Sequence, residues 1–113
     1  MAKKLSREAI LKVDDLKREE MEIPEWGGTI MVRSLKGSER DKWAKEAIDD
    51  KGKPKENINA LLIYYACEEP RFEREDIDTL REKNVAVVER IVNKIMSLSG
   101  ISAEAVEEIR KNS

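Results

Sequence analysis

The reactive side chains of this sequence are mostly carboxylates, and they come in adjacent pairs: Asp14-Asp15, Glu19-Glu20, Asp49-Asp50, Glu68-Glu69, Glu75-Asp76 and Glu107-Glu108. Two carboxylates do acid–base work, or hold a divalent cation, only when they converge in one cleft. Adjacency along the chain does not make them converge. With 41% of residues charged, such neighbours arise from composition and read as solvated faces. Histidine is absent, which removes the usual base near neutral pH and the commonest transition-metal ligand. The single cysteine, Cys67, lies inside the apolar run Ala60–Cys67 and reads as a buried thiol in a reducing cytosol with no internal disulfide. Gly27-Gly28 is followed by neither a glycine-rich loop nor Lys-Ser/Thr, so it reads as turn chemistry rather than a phosphate cradle. No catalytic, cofactor-binding or metal-binding residue is assigned, no cofactor is expected, and the expected class is not an enzyme.

Binding chemistry is the other possibility, and large aromatics dominate interface energetics. Trp43 heads the stripe Trp43, Ala44, Ala47, Ile48, which belongs to a helix face, and is expected in the core. Trp26 sits beside a turn, where burial is hard. Tyr64 lies off the main Ile58/Leu61/Leu62/Tyr65 face. If Gly27-Gly28 form a two-residue loop, Ile23 opposes Val32 and Glu22 opposes Arg33. Ile23, Ile30 and Val32 then share one face, while Pro24, Trp26 and Met31 share the other. Pro24, Trp26, Met31 and Tyr64 are therefore the candidate partner-binding residues. One conflict stands against that register: Pro24 falls where the ladder needs an N–H donor, which argues for an edge strand or a longer loop.

The elements that must position these residues follow from periodicity. Ser6 caps a short helix over Arg7–Val13. Residues 20–34 hold the only period-two alternation and read as a hairpin. Ser38 is placed as the N-cap of a helix ending near Asp49, and Asp50–Lys55 is a polar loop. Glu56–Glu68 reads as the central helix, ended by Glu69-Pro70. Glu73–Glu82 and Asn84–Ser97 are two more, the second with the strong stripe Val85, Val88, Ile91, Val92, Ile95 and Met96, and Gly100 stops it. Ser102 caps a last helix over Ala103–Lys111. The expected fold is mainly α: a small helical domain of four to five helices with one N-terminal β-hairpin.

With 113 residues, residues 1–113 are expected to form a single domain. Twenty-two Lys+Arg against 24 Asp+Glu give a net charge of −2 with the signs interleaved, so no face reads as a groove for nucleic acid. The longest apolar run falls far short of the ~20 residues that span a bilayer, and residues 1–12 lack the apolar core of a secretory signal. Neither nucleic acid nor membrane is an expected partner.

The order of these signals resembles the tail assembly chaperones of long-tailed phages and prophages. The resemblance rests on Leu5-Ser6-Arg7-Glu8-Ala9-Ile10-Leu11, on Asp14-Asp15-Leu16-Lys17, on Met21-Glu22-Ile23-Pro24-Glu25-Trp26-Gly27-Gly28, and on Val32-Arg33-Ser34-Leu35-Lys36-Gly37-Ser38-Glu39-Arg40-Asp41. Further support comes from Phe72-Glu73-Arg74-Glu75-Asp76-Ile77 and Leu98-Ser99-Gly100-Ile101-Ser102. It implies a non-enzymatic helper in the host cytoplasm, absent from the finished virion, that binds the tape measure protein and keeps it soluble while the tail tube assembles. It also implies that this chain is the short form of a pair, a frameshifted longer product recruiting tail tube protein; self-association is expected. The rival class is a structural virion component, such as a head–tail joining or tail-terminator protein.

Overall fold

A computed structural model describes residues 3–101. Among them the chain forms α1 (Arg7–Lys12), β1 (Arg18–Ile23), β2 (Gly28–Arg33), α2 (Gly37–Glu46), α3 (Ile58–Ala66), β3 (Cys67–Glu69), α4 (Ile77–Arg81) and α5 (Val85–Ser99). The last expected helix, over Ala103–Lys111, lies outside the described residues.

The strands make one antiparallel sheet in the order β1-β2-β3. The hairpin is present, but its register corrects the expected one. Met21 pairs with Ile30, Glu22 with Thr29 and Ile23 with Gly28, so the connection is Pro24–Gly27 rather than Gly27-Gly28. Pro24–Trp26 form a 3-10 turn closed by Gly27 at φ 79°, whose N–H donates to the Pro24 carbonyl at 3.0 Å. A left-handed residue is needed at that closure, and glycine adopts it without the Cβ penalty. The turn also frees Pro24 from the ladder, where it has no donor to give. The displacement is by an even number of residues, so the inward face is kept. Met21, Ile23, Ile30 and Val32 are all buried. The expected Glu22/Arg33 pair is not formed, because Arg33 stands opposite Arg18.

A second correction concerns the end of the central helix. It stops at Ala66, and Cys67 begins β3, where the apolar run had read as helix to Glu68. Cys67 pairs with Val32, and Glu69 with Met31. The sheet is thus three-stranded, with residues from mid-chain completing it. α3 is apolar nearly all round and correspondingly buried, with Ala60, Leu61, Leu62, Ile63, Tyr65 and Ala66 inside, as expected of a central core helix. It packs against α5, α4 and α2, while α5 lies across β1 and β2.

The ends of the helices follow ordinary capping rules with one surprise. Ser6 Oγ accepts from the Ala9 N–H at 3.1 Å, and Asn84 Oδ1 from the Ala86 N–H at 2.8 Å. α5 ends at Gly100 in the left-handed region, φ 71°, the usual glycine stop. For α2 the N-cap is Lys36, not Ser38, and Glu39 in the first turn accepts from the Lys36 N–H at 2.9 Å. Trp43 is 3% exposed and its indole N–H donates to the Ile58 carbonyl at 2.9 Å, fixing α2 to the start of α3.

Candidate functional site

The four candidate binding residues do not lie on one face. Pro24 and Trp26 share the turn between β1 and β2, out of the sheet, so the shared strand face that grouped them with Met31 is not present. Met31 is half-buried on the outward side of the sheet, between Glu20 on β1 and Glu69 on β3. Tyr64 belongs to the last two turns of α3. Of the four, only Pro24 and Trp26 occupy a common element.

The Pro24–Trp26 turn is held firmly. Trp26 is half-buried and rests against the core, while Pro24 and Glu25 are exposed. Both Glu25 carboxylate oxygens accept from the Arg90 guanidinium, one of them at 3.1 Å. That pairing holds the Glu25 carboxyl down to about 2. A charge-assisted bidentate pair of this kind fixes direction as well as distance. It fastens the turn to α5 and presents part of the indole to solvent. α1 takes no part, since every residue of it is exposed.

Tyr64 is partly occupied already. Its ring meets that of Tyr65 edge-on at 5.1 Å, and the guanidinium carbons of Arg71 and Arg74 lie 5.6 and 5.0 Å from its centroid. Cation–π pairing of this geometry engages the ring face that a partner would use. Beneath it, the Tyr65 hydroxyl donates to Glu46 Oε1 at 2.8 Å, and Arg74 grips the same carboxylate through two bonds of 2.9 Å. Burial, with Glu46 beside it, raises the Tyr65 hydroxyl above its ordinary range, and Arg74 holds Glu46 below the usual carboxylate value. The cluster joins α2, α3 and the turn before α4.

The most constrained polar group among the described residues is Arg33, which the sequence pattern sets only against Glu22. Arg33 is 7% exposed. Its guanidinium donates to Glu39 Oε1 and Oε2 at 2.8 and 2.9 Å, to the Ser34 carbonyl at 3.1 Å and to the Tyr65 carbonyl at 3.2 Å, with Glu68 Oε2 at 3.4 Å from its Nε. It therefore ties β2 to the start of α2, the end of α3 and β3. The only available signal was the spacing of Arg33 and Glu39 around a helix start. Arg71 plays a related part, donating to the Tyr64, Tyr65 and Cys67 carbonyls that α3 leaves without helical partners, a need every helix C-terminus has.

A cleft of about 210 Å³ opens between α3, α4 and α5, lined by Ala60, Leu80, Val85 and Val88, with Glu56, Arg81 and Lys83 at its rim. Val85 is 68% exposed there. Cys67 is buried, and burial pushes its thiol up to about 11, the opposite of a nucleophilic cysteine. Among the described residues no group of three His, Cys, Asp or Glu side chains is placed to hold a metal ion, and no helix is long and apolar enough to cross a membrane. No family model, curated protein or solved structure matches the chain.

Proposed function

We propose that the protein is a tail assembly chaperone that binds the tape measure protein and keeps it soluble while the tail tube forms. The reading rests on the resemblance over residues 5–41, 72–77 and 98–102, and the observation that carries it is the setting of Trp26. A large aromatic is held half-exposed by a turn that Gly27 closes and the Glu25–Arg90 pair fastens to α5. Such a side chain gives contact area with little rotamer entropy left to lose, which is what an interface anchor needs. An amphipathic helix of a tape measure protein, waiting for its tube, is a fitting occupant in the helix-in-groove manner. Pro24 lies in the same turn and contributes to that surface, whereas Met31 on β2 and Tyr64 on α3 lie on other elements and are not assigned to it.

Co-expression with the tape measure protein of the same phage tests this. The wild-type chain is expected to keep the tape measure protein soluble, and Trp26→Ala to lose it at a temperature where circular dichroism shows the variant folded. Equal solubility with the variant would remove Trp26 from the interface, and an insoluble tape measure protein beside the wild type would remove the function. Mass spectrometry of particles and of infected-cell lysate separates the reading from its rival: a chaperone is in lysate only, a head–tail joining or tail-terminator protein in both.

A further inference from the structure

Five large apolar side chains stand exposed among the described residues, and four of them fall in the first thirteen: Leu5 at 66%, Ile10 at 53%, Leu11 at 69% and Val13 at 61%. The helix carrying two of them, α1, has a proper N-cap yet buries nothing. A six-residue helix does not hold in water by itself, because isolated helices shorter than ~12–15 residues are marginal. Its stability has to come from a surface that it covers. Lys3, Lys4, Arg7 and Lys12 against the single acid Glu8 make this arm basic in a chain that is acidic overall.

The complementary surface is on the same chain. On the outward side of the sheet Met31 lies directly between Glu20 and Glu69, and Glu22 opposes Thr29 beside them. Glu20, Glu22, Thr29 and Glu69 are exposed, and none of the described helices covers them. None of the three carboxylates has an ion-pair partner among the described residues, whereas at the other end of the same face Arg18 and Arg33 are neutralised by Asp14, Glu39 and Glu68. The α3–α4–α5 cleft is more apolar, but the acid at its rim, Glu56, is taken by Arg81 at 2.7 Å, and Lys83 stands beside them, so it offers a basic arm no free carboxylate.

We propose that residues 3–13 of one copy lie across the outward sheet face of a second copy, with the arm's cations on Glu20, Glu22 and Glu69 and its Ile10 and Leu11 covering Met31. The arm does not serve its own sheet. It leaves at the Lys17–Ser34 end, where Lys17 N–H donates to Ser34 Oγ at 2.9 Å and Ser34 N–H to the Lys17 carbonyl at 2.8 Å. Asp14, 3.1 Å from Arg18, marks that exit, and residues 3–13 before it are all exposed rather than laid over Glu20 and Glu22. The two surfaces differ, and each copy keeps one free after pairing; the contact is heterologous and propagates head to tail. This assembly stands whatever the partner proves to be, although a growing row of copies suits a long rod-like one.

Sedimentation velocity on the full chain tests it. The wild type is expected to grow in size with concentration. Ile10→Asp/Leu11→Asp in the arm and Glu20→Lys/Glu22→Lys on the sheet should each weaken association by roughly tenfold or more, with melting temperatures unchanged because all four positions are exposed. Mixing the two variants should restore association but stop at a one-to-one complex, since each retains one working surface. Should the lysine reversals melt early, Glu20→Gln/Glu22→Gln removes the charge with the shape retained and should weaken association likewise. A wild type that stays monomeric at every concentration, variants that associate as the wild type does, or a mixture that stays dissociated overturns the proposal.

Discussion

Replacing Arg33 by methionine separates the account given for this buried cation from a generic effect of removing a charge. Arg33 and Glu39 side chains are 9% and 14% exposed and meet through two bonds of 2.8 and 2.9 Å. Methionine keeps much of the stem and strands the Glu39 carboxylate, together with the Tyr65 and Ser34 carbonyls. Breaking a buried pair in this way costs about 3–5 kcal/mol. Glu39 retains the Lys36 N–H, so the lower end, about 3 kcal/mol, is expected; this is a large share of the ~5–15 kcal/mol that a domain has in total. Glu39→Gln should cost less, about 1–2 kcal/mol, because Arg33 keeps Glu68 and two carbonyls while the amide oxygen still accepts from Lys36. The double variant should cost no more than Arg33→Met alone, since the stranded charge is gone, which makes the two residues coupled by roughly 1–2 kcal/mol.

Urea unfolding followed by the emission of buried Trp43 measures all four corners of the cycle. Acid gives an independent check. Glu39 is held below its ordinary 4.5: burial opposes ionisation, but the Arg33 and Lys36 hydrogen bonds outweigh it. A carboxylate with a depressed folded value contributes stability above 4.5 and loses it as the pH falls through that lower folded value. The unfolded state titrates alike in both chains, so the gap between wild type and Arg33→Met should be full near neutrality, begin to close where Glu39, left without Arg33 against its burial, takes up a proton in the variant, and be gone below the depressed wild-type value. A loss under about 1 kcal/mol at neutral pH, a coupling near zero, or a gap that ignores pH would refute the reasoning.

Leu61→Ala and Ile91→Ala, at positions 1% and 0% exposed, should each lose about 2–5 kcal/mol in the same urea assay. Gly27→Ala meets nothing within 4 Å, so its cost should be the left-handed strain alone, about 1–2 kcal/mol, with Gly28→Ala nearly neutral as the control. Cys67, buried and with its thiol pushed up to about 11, should resist a thiol-reactive dye in the native state and react once urea unfolds the chain; rapid native labelling would contradict its burial.

The elements read best from the sequence were those whose own pattern decides them. Trp43 and the stripe Val88, Ile91, Val92, Ile95 are buried where periodicity put them, and Ser6, Gly100 and the hairpin's inward face follow local rules. The hairpin register was not legible because two registers an even number of residues apart bury the same face; the choice between them came from Met21, which only the four-residue turn sets against Ile30. β3 was hidden for a different reason. Cys67 continues the apolar run of α3 without a break in type, and what turns the chain there is side-chain donors: Arg33, far back in the sequence, takes the Tyr65 carbonyl, and Arg71, just downstream, takes those of Tyr64, Tyr65 and Cys67. A helix whose last carbonyls are met by arginine side chains instead of a left-handed glycine carries no cap signature at the residue where it stops.

The same reasoning explains why the candidate binding residues dispersed. They had been grouped by strand parity, and parity lapses at the residue where a strand ends. Ile23 is that residue, so Pro24 and Trp26 pass into a turn whose direction is set by Gly27 and by the Glu25–Arg90 pair, while Met31 stays with the sheet. Arg90 lies on α5 and its partner Glu25 beside the indole; the interaction that aims Trp26 is thus a contact between segments far apart in sequence. Opening it with Arg90→Ala leaves the core untouched and lets the turn swing, which makes the orientation of Trp26, rather than its presence, the quantity on which docking should depend.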